Sequence, residues 1–174
     1  MQPFIEYILN EQHYSRVLQQ VLAVNKNLWI GTADIKDLFF KDGDTSIPFL
    51  GLLSKLITRK VNIRLLYAKE PGPIFRKDFD KYPNLAKGLE RAICPRVHFK
   101  LFIFDLKTVY IGSANLTGAG IGMKSPNRRN FEAGILTNDP EIVESAINQF
   151  DLVWQGVYCK KCDRKSYCID RIDK

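Results

Sequence analysis

The sequence predicts an α/β fold built as one domain, and three observations predict it. A strand pattern at residues 27–35, a helix pattern opening at Ser46 and a second strand pattern at residues 61–67 follow in order, which is how a strand–helix–strand crossover is written. The 174 residues suffice for one core and fall short of two full domains. With 45% hydrophobic and 26% charged residues, the composition excludes a disordered or fibrous chain.

Residues 10–24 set Tyr14, Val17, Leu18, Val21 and Leu22 at helical spacing, so they predict an amphipathic helix with His13 at the border of its polar side, an ordinary helix-surface residue. The stretch NLWIGTADI (27–35) then opens the sheet. After Ser46 and Pro48 come Phe49, Leu52, Leu53, Leu56 and Ile57, the apolar face of a helix, and VNIRLLY (61–67) is the next strand. Residues 69–83 hold three prolines and Gly72 among Phe75, Arg76, Lys77, Phe79, Lys81 and Tyr82, and read as a surface loop. That loop either holds a polyanion or folds its aromatics inward.

A short helix at residues 85–92 leads to two strands, 97–104 and 108–112, joined by a tight turn at Leu106 and Lys107. A strand at 131–137 follows. Asp139 and Pro140 then cap and start a helix that runs to Trp154.

In VHFKLFIF (97–104) alternate side chains share a face, so His98, Lys100, Phe102 and Phe104 point one way while Phe99, Leu101 and Ile103 point the other, with Asp105 on that second face. His98 and Lys100 stand about 7 Å apart along the backbone, close enough to meet one phosphate. The returning strand sets position 112 opposite Lys100, which gathers Gly112, Ser113 and Asn115 at the His98 end. Glycine there permits close backbone approach, and Ser113 and Asn115 offer neutral donors to phosphate oxygens.

The series His98-Phe99-Lys100, four residues, Asp105, six residues, Gly112-Ser113-Ala114-Asn115 resembles the HxKx4Dx6GSxN signature of the phospholipase D superfamily, and Asn130-Phe131-Glu132 resembles the NxE element that follows it. The resemblance implies a phospholipase D-like catalytic domain over residues 1–154, a mixed sheet flanked by helices on both faces, and a phosphodiesterase activity. It implies His98 as a nucleophile forming a phosphohistidine, Lys100 and Asn115 as holders of the non-bridging oxygens, and Glu132 as the group that orients His98. Asp105 takes a structural role. In this family the leaving alkoxide takes its proton from a second histidine on a second copy of the motif. This chain has only His13 and His98, and Ser15 stands where a motif at His13 would need lysine. Resemblance to the family's short single-motif nucleases therefore implies a homodimer with one shared site.

A net charge of +7 favours anionic partners, nucleic acid or acidic lipid. Lys124, Arg128, Arg129 and Asn130, beside the site, are candidates to grip a polyanionic substrate, or form a solvated basic loop. Gly118, Gly120 and Gly122 have the wrong spacing for a nucleotide-binding loop and read as loop hinges. The tail, residues 155–174, packs on the same domain and carries Cys159-x2-Cys162-x5-Cys168, a spacing that binds zinc as a structural ion, with an iron–sulfur cluster as the alternative. Three thiolates are one ligand short, and Cys94, His13 or Asp163 is the fourth. No stretch is apolar over the roughly 18 residues a membrane span needs, and no secretion signal opens the chain, so a cytoplasmic protein without structural disulfides is expected. Three functions fit: a metal-independent nuclease cutting DNA or RNA, a phospholipid hydrolase of the cardiolipin type, and a non-catalytic nucleic-acid-binding module.

Overall fold

The computed structural model of the chain describes residues 2–36, 38–42 and 45–169. Its strands are β1 (Ile5–Leu9), β2 (Asn27–Thr32), β3 (Phe39–Asp42), β4 (Thr45–Pro48), β5 (Asn62–Tyr67), β6 (Leu89–Ile93), β7 (Lys100–Phe104), β8 (Thr108–Gly112) and β9 (Ala133–Thr137). Helices α1 (Phe49–Thr58), α2 (Pro73–Phe79), α3 (Pro83–Gly88) and α4 (Pro140–Trp154) accompany them. Among the described residues seven strands form one sheet in the order β1-β9-β8-β7-β2-β5-β6, and β3 pairs with β4 apart from it. β2, β5 and β6 run parallel, while β7, β8, β9 and β1 run antiparallel to their neighbours, so the sheet is mixed.

Side-chain alternation divides the core in two. Leu28, Ile30, Phe102, Phe104 and Tyr110 face the cluster that α1 fills with Phe49, Leu52, Leu53 and Leu56. Trp29, Leu101, Ile103 and Val109 face α4, which supplies Val143, Ala146 and Phe150. Helices thus cover both faces, as expected. On the α4 side Phe150 stacks between Trp29 and Trp154, and the Arg64 guanidinium lies 4.7 Å from the Trp29 ring centre while bonding Asp151 at 3.1 Å. Asp139 caps α4 through the amides of Glu141 and Ile142. No helix among the described residues is long and apolar enough to cross a membrane.

Five local expectations are corrected. β1 precedes the strand expected to open the sheet, and β2 ends at Thr32 in the sheet interior. The expected helix at 10–24 is a π-helical turn, His13–Val17, followed by a 3-10 helix, Leu18–Ala23, because the chain must turn sharply out of the edge strand β1. Ser46 lies in β4 rather than starting α1, whose N-cap position is Pro48. The expected loop at 69–83 holds α2, which starts at a proline and buries Phe75 in the core, so its aromatics do turn inward. The helix expected at 85–92 is α3 and then β6, since Leu89 and Ile93 satisfy a helical spacing but are buried instead in a parallel edge strand. Residues 170–174 of the tail lie outside the described residues.

The three-residue β7–β8 turn, 105–107, holds Asp105 at φ 51° and Leu106 at φ 56°, a left-handed pair that the Lys107 amide closes on the Phe104 carbonyl at 3.0 Å. From that turn the Asp105 carboxylate accepts the amides of Asn25, Lys26 and Asn27, at 2.7–3.2 Å, and so ties the start of β2 to the end of β7. Burial pushes this carboxyl up, but the amides of Asn27, Lys26 and Asn25 outweigh it and hold it below the ordinary value. Its stabilisation is therefore present above the unfolded-state value of about 3.9 and fades as pH falls through the lower folded-state value. Asp105→Ala is expected to destabilise the fold by about 1–3 kcal/mol at neutral pH, and by less in acid, in denaturant titrations at several pH values.

Candidate active site

The motif residues collect at one edge of the sheet. β7 runs antiparallel to β2, so the start of β7 adjoins the end of β2, where the parallel strands also finish. The register pairs Lys100 with Gly112 and Gly112 with Gly134, as the hairpin reading requires for the first pair. His98 lies just before β7 rather than inside a strand of residues 97–104, and its ring is exposed with no hydrogen bond among the described residues. Lys100 is buried to 6% exposure on the first turn inward, and its Nζ donates to the His98 carbonyl at 2.6 Å. Desolvation lowers the Lys100 pKa, and the charge of Glu132 works the other way.

Asn115 follows β8 and is fixed from behind. Its Oδ1 accepts the Asp34 amide at 3.2 Å and, at the limit of 3.5 Å, the Thr32 hydroxyl. The Thr32 hydroxyl in turn bonds the Asp34 carbonyl and takes the Leu116 amide. With Oδ1 occupied, the amide is oriented, and its Nδ2 donates to no group among the described residues. That leaves a neutral donor for an anion.

Glu132 stands just before β9, whose start at Ala133 shortens the strand expected at 131–137. Its carboxylate takes the Ser113 hydroxyl on one oxygen and the Asn130 amide, at 2.9 Å, on the other. The Ser113 amide also donates to the Ala133 carbonyl, and the Ser113 hydroxyl accepts the Ala133 amide. The structure therefore places Ser113, Asn130 and Glu132 in one network, and Glu132 meets these two residues rather than the His98 ring. Arg129 pairs with Glu11 at 3.0 Å, whereas Lys124 and Arg128 are exposed. Gly122, at φ 80°, and Gly120 pack against the backbones of Glu11 and Asn115, so close approach is what these glycines provide.

Behind the network lies a residue that the sequence reading misplaced. His13 is fully buried, not on a helix surface. Its Nδ1 meets the Asn10 carbonyl at 2.8 Å, and its ring stands edge-on to Tyr110, with centres 5.3 Å apart. The cause is β1: Asn10, at φ 41°, ends that strand, bonds Glu132 through both its backbone amide and its side chain, and turns His13 under the sheet. Tyr110 in turn lies across Gly112 and Gly134, where a Cβ would come within 2.1 Å and 2.4 Å of it. Asn10, Thr32 and Tyr110 are thus site-shaping residues that periodicity did not single out. The glycine at the motif's 112 position was the signal for a ring packed above it.

An exposed imidazole, a buried ammonium and an oriented amide around one sheet edge define the class: a site shaped for phosphoryl chemistry on an α/β scaffold. The chain belongs to the phospholipase D superfamily, since the family model described as "Cardiolipin synthase, PLD-like domain" matches residues 18–154. Among solved structures it is similar to NucT from Helicobacter pylori, at 14% identity and a TM-score of 0.65, over 86% of this chain and 94% of that one. It is also similar to Nuc from Salmonella typhimurium, a phospholipase D family member, at 18% identity and a TM-score of 0.64, over 88% and 95% of the two chains. Phosphatidylserine synthase from Haemophilus influenzae Rd KW20 is similar at 12% identity and a TM-score of 0.59, with 83% of this chain covering 35% of that one. At these identities the likeness is one of fold. No curated protein matches the sequence significantly.

Two measurements probe the support of the site. Burial lowers the His13 pKa against the smaller opposing effects of the Asn10 carbonyl and Glu132. A histidine whose folded-state pKa is lowered stabilises the fold fully above its unfolded value of about 6.5 and loses that stabilisation as pH falls through it. Thermal melts between about pH 8 and pH 5 should therefore show wild type losing more stability than His13→Leu. Gly112→Ala would press on Tyr110 Oη and the Ala133 carbonyl, and is expected to cost about 1–3 kcal/mol in urea unfolding.

Proposed function

We propose that the protein is a nuclease that hydrolyses DNA or RNA phosphodiesters through a covalent phosphohistidine at His98, in a site completed by a second copy of the chain. The observation that carries this reading is the pairing of an exposed, unbonded His98 ring with a buried Lys100 ammonium two residues away. In the first step a His98 ring nitrogen attacks phosphorus, the phosphorus–oxygen bond to the leaving group breaks, and the partner subunit's His98 gives that oxygen a proton. In the second step the same partner imidazole takes a proton from water, whose oxygen attacks phosphorus; the phosphorus–nitrogen bond breaks, and the His98 imidazole and the phosphate end are released. Lys100, with donors to spare beyond its bond to the His98 carbonyl, and the Asn115 amide hold the charge that builds on the non-bridging oxygens. This chemistry asks for no metal.

The need for a partner follows from the single histidine–lysine motif in these residues. A surface beside the site supports it. Phe131 is 97% exposed next to Glu132, and Tyr7, Ile135 and Ile111 are cross-strand neighbours exposed on one face of β1, β9 and β8. A continuous apolar strip of this kind suits burial against its own copy. The charge of +7, with Lys124 and Arg128 free beside the site, supports a polyanionic substrate.

The test is a panel of single- and double-stranded DNA, RNA and cardiolipin vesicles at defined salt, after brief exposure to EDTA, with sedimentation to give the mass. Nucleic acid should be cut by a dimer, His98→Ala should lower the rate by roughly 10³-fold or more, and Ile135→Glu should give an inactive monomer. Turnover of cardiolipin alone would overturn the nuclease reading. Binding to nucleic acid without turnover would make the chain a binding module.

A further inference from the structure

Four thiols that this chemistry does not use face one cavity behind His98. Cys94 follows β6, and Cys159, Cys162 and Cys168 come from the turns after α4, yet all four line one cavity of about 230 Å3. Val97 and Phe99, the two neighbours of His98, line the same cavity. All four cysteines are half-buried. Neither His13, which is buried against the other face of the sheet, nor Asp163 lines this cavity, so of the candidates for a fourth ligand it is Cys94 that shares it.

Among the described residues the tail that carries three of these thiols has little apolar burial, although the Arg96 guanidinium bonds Cys162. Its 3-10 helix, Lys165–Tyr167, buries no residue, and Tyr158, Tyr167 and Ile169 are 52%, 71% and 77% exposed. Its backbone is nonetheless tightly wound: Gly156 turns at φ 69°, and the Cys162 amide bonds the Cys159 carbonyl at 3.1 Å, the turn that lets a Cys-x-x-Cys pair reach one metal. Among the described residues no three histidine, cysteine or acidic side chains are already gathered around one point. The thiols share a cavity without closing on a centre, so binding would draw them inward.

We propose that Cys94, Cys159, Cys162 and Cys168 are the four thiolate ligands of a metal centre, a zinc ion or an iron–sulfur cluster, that bolts the tail to the segment presenting His98. Binding releases the four thiol protons to solvent and supplies the cross-link that apolar burial does not. Its place directly behind Val97 and Phe99 makes it a brace for the His98 backbone, with no part in bond-breaking. The centre rests on the convergence of the thiols and is independent of the nuclease reading.

Protein purified under reducing, oxygen-free conditions should be analysed for metals and sulfide, with its visible absorption. The expected result is about one zinc per chain, or iron with matching sulfide and the broad visible band of a cluster. Cys94→Ser and Cys162→Ser should each lose most of the metal and melt at a lower temperature. If either variant fails to fold, cobalt titrated into reduced wild-type protein decides, because thiolate ligation gives an intense near-ultraviolet charge-transfer band. Folded, reduced protein that carries no metal and shows no such band with cobalt would overturn the proposal, as would Cys94→Ser that keeps its full metal content.

Discussion

Lys100 sits opposite Gly112 across β7 and β8, and the rest of the site depends on that register. A slip of one residue would turn Lys100 toward the apolar cluster around Phe150 and carry His98 and Asn115 out of step. Three features hold the register. The left-handed pair at Asp105 and Leu106 sets the turn, the Asp105 carboxylate ties it to β2, and the Tyr110 ring lies over the glycines that continue the Lys100 row into β9. The motif's aspartate and glycine thus act at a distance from the reacting group: one anchors the far end of the hairpin, and the other makes room for a ring at the near end.

The same edge concentrates polar groups where the core stops. Lys100 is buried and its charge is opposed by desolvation, with Glu132 as the nearby counter-charge. Glu132 is shared between Ser113 and Asn130, which fix it without using the His98 ring. Beneath them His13 Nε2 and Tyr110 Oη are buried without a hydrogen-bond partner among the described residues. Burying such atoms is unfavourable by about 1–3 kcal/mol each, a cost offset by the packing of the two rings and by the bond of His13 Nδ1 to the Asn10 carbonyl. Above this packed floor the His98 ring and the Asn115 Nδ2 have no bond among the described residues, which leaves both to engage a phosphate.

Legibility in the sequence followed how local each signal was. α4 and the pairing of β7 with β8 are legible in the sequence, though β7 starts three residues later than its alternation predicts, because a tight turn, alternation and an Asp-Pro cap need no distant partner. The helix expected at 85–92 gives way to β6 from Leu89 onward because Leu89 and Ile93, four apart, fit both periods, and only the free edge of β5 decides between them. β1 escaped notice for the same reason: five residues with a glutamate among them become a strand by pairing with β9, more than a hundred positions later. That omission propagated, because without β1 nothing in the sequence turns His13 beneath the sheet.

The resemblance to a phospholipase D motif, carried by His98 and Lys100, therefore made the family legible, and strand alternation alone set Asp105 apart from the reacting group. Spacing along one hairpin is a local property, and two strands joined by a three-residue turn have little freedom to meet otherwise. What only the tertiary structure decided was the surrounding: that His98 stands free in front of β7, that Thr32 orients Asn115, that Glu132 is held by Ser113 and Asn130, and that Cys94 shares a cavity with three cysteines of the tail. Those contacts join residues from separate strands and turns, and no periodicity within one element encodes which elements will become neighbours.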